Sequence, residues 1–122
     1  MTGREKLLSA IGVLEASLAQ AVKLGDRDFN EHRREVIQLR RIILAHNSTI
    51  DSLCDEAFGT PEARLAFRRE FSEMRSAMAF HQASWPVVSI DFENPDYVAS
   101  LNIMRTANRK FIAWVRTALK TA

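Results

Sequence analysis

Cysteine is nearly absent from this chain of 122 residues. Cys54 stands alone, so no disulfide can close within the chain and no thiolate cluster can hold a metal. Glycine is almost as scarce. The four glycines stand singly at positions 3, 12, 25 and 59, which excludes the clustered-glycine loops that cradle phosphates or dinucleotides. HExxH, CxxC and GxSxG spacings are all missing, and with them the commonest metalloprotease, redox and serine-hydrolase sites. No apolar run approaches the roughly 20 residues that span a bilayer. Leu7 to Leu14 is interrupted by Ser9 and Gly12 and followed at once by Glu15, unlike the core of a signal peptide. A cytoplasmic protein without a membrane span is the expectation. The net charge is only +2, which by itself calls for no nucleic-acid partner. Arginine greatly outnumbers lysine, as in proteins from GC-rich genomes, and suggests a bacterial source.

What is present is an ordinary globular composition, 47% apolar and 26% charged, enough to fill one core over residues 1–122. The helix breakers fall at regular intervals. Thr2 with Glu5 spells a capping box, in which each side chain can satisfy a first-turn backbone N–H. Gly25 is placed to end a first helix, and Asp26 or Asp28 to open a second, Asp28 with Glu31 as its box partner. Gly59 can close that helix, and Thr60-Pro61-Glu62 reads as cap, first-turn proline and first-turn acid. Trp85 is pushed out of the helical region by Pro86, and Asn94-Pro95-Asp96 opens a last helix.

Between these signals the apolar residues recur every three or four positions. The stripes are Leu7, Ile11, Leu14, Leu18 and Ala21; then Phe29, Val36, Ile43 and Ile50, alternating with His32, Leu39, His46 and Leu53. They continue as Phe67, Phe71, Met74, Met78, His81 and Trp85, and finally Leu101, Met104, Phe111, Val115 and Ala118, widened by Ile112 and Leu119. No single stripe is stable alone, so the four must bury one another. The expected fold is all-α: an antiparallel up-down four-helix bundle with one extended crossover at about residues 86–95. Asn47-Ser48-Thr49 is poor helix sequence and marks an expected kink or break.

The three histidines all fall on inward stripes. Bundles can hold haem, copper or paired iron on such residues. His32 and His46 are about 21 Å apart along one helix, and in a bundle His81 lies about 9–10 Å along the axis from either, too far to share one ion. No cofactor and no metal site is expected; core imidazoles with local hydrogen bonds are. The alternative is a metal- or haem-binding or phosphotransfer bundle using His46 or His81. Phe80-His81-Gln82-Ala83-Ser84-Trp85-Pro86 resembles the H-box of sensor histidine kinases, in which a phosphoaccepting histidine is followed by an acid and, five residues on, a proline. The resemblance covers about ten residues and implies that His81 would accept the phosphoryl group. Gln82 stands where that family has its acid, and the chain has no room for an ATP-binding domain.

Two other features point to binding. Arg105, Arg109, Arg116 and Lys120 fall within about a 60° arc of the last helix, a positive ridge about 20 Å long. From Tyr97 onward there is no acidic residue. The long connection with His81, Trp85, Phe92 and Tyr97 around it is a candidate pocket, because binding residues concentrate on such loops. The large aromatic complement, including Phe58, Phe80, Trp85 and Trp114, suggests self-association. No polar cluster of catalytic type is visible. The expected function is therefore non-enzymatic: a helical adaptor, chaperone-like or regulatory protein, a possible homodimer, that binds an acidic or apolar protein through its last helix and the 86–95 strap. Nucleic acid is the less favoured partner.

Overall fold

The computed structural model describes residues 1–25 and 33–121, without the side chains of the terminal pair 25 and 121. The chain is all-α. Among the described residues there are five α-helices, one short 3-10 turn and no strand. They are α1 (Gly3–Gly25), α2 (Arg33–Ser52), α3 (Cys54–Ala57), α4 (Pro61–Ser84) and α5 (Pro95–Thr121), with the 3-10 turn at Val87–Ser89. The chain divides into two compact units, Met1–Pro61 and Glu62–Ala122. Asp26, Asp28, Phe29, Glu31 and His32, to which the sequence assigns a helix start and an inward stripe, lie outside the described residues.

The first unit starts with half of the expected capping box. The Glu5 N–H donates to Thr2 Oγ1 at 3.1 Å, and the Lys6 N–H reaches Thr2 O at 3.0 Å. α1 then turns Leu7, Ile11 and Leu14 inward, and it packs on α2 and α3. Because the start of α1 meets α3, just beyond the end of α2, α1 and α2 run antiparallel. Lys6 Nζ lies 2.9 Å from Glu56 Oε2 across that junction. α1 is also long and apolar enough to cross a bilayer by length and composition, with a mean hydropathy of 1.5 in its best window. Ser9, Gly12 and Glu15 interrupt the run without lowering that average below the mark.

Backbones come unusually close at Gly3. A Cβ there would overlap the Glu56 carbonyl and lie 2.8 Å from Glu56 Cβ. The neighbour is main chain and cannot swing away, so overpacking should outweigh the helix propensity that alanine would add. Gly3→Ala is expected to lower stability by about 1–3 kcal/mol in a urea titration.

α2 does not break at Asn47-Ser48-Thr49. Thr49 Oγ1 donates to Ala45 O at 3.2 Å and Ser52 Oγ to Thr49 O at 2.7 Å, so these hydroxyls bond back along the helix instead of competing with it. The interruption comes at Leu53, where the chain tightens into a turn, its N–H reaching Ile50 O at 3.1 Å. One more turn of helix follows as α3. It ends at Phe58, whose extended backbone (φ −115°, ψ 120°) closes it through a bond from its N–H to Cys54 O. The helix stops directly before Gly59, where the sequence marks its end, and it does so without a left-handed residue, since no described glycine adopts a positive φ. Val36, Ile43, Ile50, Cys54 and Phe58 are buried.

The second unit is a helical hairpin. α4 begins at Pro61 and ends at Ser84, just before Trp85-Pro86, and α5 begins at Pro95, each as the punctuation requires. The Asp96 N–H donates to Asn94 Oδ1 at 2.9 Å, the cap read from Asn94-Pro95. Phe67 stacks on Phe71 (5.7 Å between centroids) and meets Phe111 edge-on at 5.8 Å and Trp114 at 6.4 Å. At the other end His81 meets Ser100 and Tyr97. Early α4 thus faces late α5, and the two helices are antiparallel neighbours.

The connection at 86–95 is consequently a hairpin loop and not a crossover, and only part of it is extended. Pro86 and Ile90 have extended backbones on either side of the 3-10 turn, where the Ser89 N–H reaches Pro86 O at 2.7 Å. Asp91 then caps a tight turn, Oδ1 accepting from the Glu93 N–H and O from the Asn94 N–H, both at 3.0 Å. Short polar side chains that satisfy their own backbone override the extended preference of Val87, Val88 and Ile90.

Candidate functional site

The four residues that the sequence grouped as a pocket do come together, at the loop end of the hairpin. Tyr97, in the first turns of α5, is the hub. His81 lies 5.4 Å from it, Trp85 5.4 Å in edge-on geometry and Phe92 5.2 Å, also edge-on. Because ring edges are positive and faces negative, three neighbours set against one ring attract it while burying it. Tyr97 and His81 are each only 2% exposed, whereas Trp85 and Phe92 are half-buried. The three rings thus gather around Tyr97, which with His81 forms the buried heart of the cluster. It ties the connection to both helices, with Trp85 and Phe92 only half-buried; Val88, also in the connection, is 81% exposed.

His81 Nδ1 lies 2.7 Å from Ser100 Oγ, and its carbonyl accepts the Trp85 N–H at 2.8 Å. A buried imidazole needs such local hydrogen bonds, and Ser100 provides one across the hairpin. Which atom donates depends on the tautomer. This geometry argues against His81 as a phosphoacceptor, because both the phospho-donor and in-line attack need a ring nitrogen at the surface. His46, in contrast, is half-buried on α2, in the other unit. Among the described residues no three histidine, cysteine or acidic side chains gather as metal ligands. Cys54 is wholly buried, as expected of an inert thiol.

The ridge lies on α5. Arg109 and Lys120 are exposed and Arg105 and Arg116 half-buried. Arg109 Nη2 reaches back to Thr106 Oγ1 at 3.4 Å, a bond between neighbours on one helix face. Lys110, outside the arc, is engaged across the hairpin by Glu73 Oε2 at 3.3 Å. An exposed pair of this kind contributes little to stability, about 0–1 kcal/mol, but it marks which flank of α4 meets which flank of α5.

Two buried amides escaped the sequence reading, Asn47 in α2 and Asn108 in α5. The signal was there: each falls in step with its stripe, Asn47 between Ile43 and Ile50 and Asn108 between Met104 and Phe111. Polar identity hid them. Asn108 Oδ1 has no hydrogen-bond partner among the described residues. A buried acceptor left this way costs about 1–3 kcal/mol, and an apolar residue of similar size would not incur it. Asn108→Leu is therefore expected to raise the stability of the chain by about 1 kcal/mol, measured as a higher urea midpoint at unchanged slope. No family model, curated protein or solved structure matches this chain, so its function has to be argued from these residues alone.

Proposed function

We propose that this protein is a non-enzymatic helical binding module whose last helix meets an acidic partner protein. The cationic face of α5 carries the reading. Arg105, Arg109, Arg116 and Lys120 share about a 60° arc, and α5 holds no acid beyond Asp96 in its first turn. A same-sign ridge of that length raises the local concentration of an oppositely charged partner and orients its approach. Away from the ridge, at the loop end, the connection exposes apolar surface through Val88 and the half-buried rings of Trp85 and Phe92. Affinity would come from such desolvated apolar groups, and rate and selectivity from the charges.

The test is anisotropy titration against a labelled polyglutamate peptide and, in parallel, a labelled oligonucleotide, each over a range of salt. The peptide should bind with an affinity that falls as salt rises, and Arg109→Glu with Lys120→Glu should weaken it about tenfold or more. Binding that ignores salt and both substitutions would remove the reading. Preference for the oligonucleotide, with a steep linear dependence on log salt, would replace the protein partner by nucleic acid.

A further inference from the structure

The strongest apolar exposure on the long helices lies on the flank of the second hairpin marked by Glu73 and Lys110. That pair sets the register between α4 and α5. One heptad toward the loop, seven residues on in α4 and seven back in α5, stand Phe80 and Ile103. They therefore share that flank, about 10 Å further along. Phe80 is 73% exposed and Ile103 69%. Around them α4 and α5 present Ser76, Ala79, Ala83 and Ala99, all exposed and none charged. Single exposed apolar residues need no explanation, but a phenylalanine and an isoleucine side by side in an uncharged field do.

The charges say what covers them. From Ser76 to Met104, the loop half of the hairpin, there are three acids, Asp91, Glu93 and Asp96, and no lysine or arginine. The open half, residues 62–75 and 105–121, carries nine cations against three acids. Helix dipoles in an antiparallel pair largely cancel, so this side-chain separation is what remains. We propose that the occupant is a second copy of this chain, laid antiparallel across the Phe80–Ile103 flank about a two-fold axis. Each acidic loop end then lies over the other copy's cationic end, and Asp96 of one copy approaches Lys110 of the other. A two-fold contact is self-complementary and closes at two subunits. Parallel pairing would set like charges together. Ile103 itself lies about 100–160° around α5 from the ridge residues, so the apolar contact uses a different face from the acidic-partner reading.

Sedimentation equilibrium of the full chain tests it. The expected species has twice the 13.9 kDa chain mass. Phe80→Glu and Ile103→Glu should each weaken the dimer about tenfold or more while leaving the helical circular-dichroism signal unchanged. Asp96→Lys and Lys110→Glu should each weaken it, and the double variant should recover part of the loss. A monomer throughout a dilution series into the millimolar range overturns the proposal, as does a dimer indifferent to Phe80 and Ile103. A monomer that loses folding stability on Phe80→Glu also overturns it, because the flank would then be covered from within one chain.

Discussion

Replacing Phe67 with alanine should cost about 3–5 kcal/mol, enough to unfold the second unit of a marginally stable protein. The ring is wholly buried and packs against Phe71, Phe111 and Trp114 on two helices. A core relaxes only partly around the cavity that this ring would leave. Much of its volume would stay empty, and the cost rises with the volume that remains. Urea unfolding followed by circular dichroism measures the loss. Phe67→Leu keeps most of the volume and should lose substantially less. A Phe67→Ala chain within about 1 kcal/mol of the parent would mean that the aromatic seam is not what holds α4 to α5.

Tyr97→Ala should be the second largest change, at about 3 kcal/mol, and it should act on a different end of the hairpin. Tyr97 is the ring that His81, Trp85 and Phe92 share. Without it those three lose the ring they share, and the connection loses this part of its clamp to α5. Trp85 then moves into water. In a Trp114→Phe background, where Trp85 is the remaining indole, the substitution should red-shift its emission. An unshifted spectrum would show that the connection is held by its own turn, through Asp91 and Pro86, and not by the ring cluster.

How much of this was legible beforehand depended on the range of the interaction. Caps are made by side chains three residues or fewer from the groups they satisfy, and Thr2, Asn94, Pro61 and Pro86 all act where the sequence put them. The inward stripes were legible because burial imposes a helical period: Leu7, Ile11, Leu14, Ile43, Ile50, Phe67, Phe71, Phe111 and Val115 are all inside. Asn47 and Asn108 broke the apolar code while obeying the period, and the period was the better guide. The break in α2 was misplaced because Ser48 and Thr49 lower helix propensity on average, whereas here Thr49 turns its hydroxyl to its own helix. In the connection, the β-branched residues lost to the local turn chemistry of Asp91. His81 and Ser100 are 19 residues apart, and no local pattern reports such a bond. The grouping of His81, Trp85, Phe92 and Tyr97 was visible because the connection returns the chain to the place it left. That Tyr97 would be the ring the other three share was not.

The single thiol gives the first unit a reporter that needs no engineering. Cys54 follows directly on the turn at Leu53 and has no exposed surface, so a disulfide reagent can attack it only when α3 lifts from its neighbours. With reagent in excess, the rate at which the chain consumes it should reach a plateau set by that opening. Below the plateau, the slope gives the fraction of time the thiol stands open to water. Loosening the contact between Gly3 and Glu56 should speed this clock, and Phe67→Ala, which belongs to the other unit, reveals by its effect on the same clock whether the two units open together or separately.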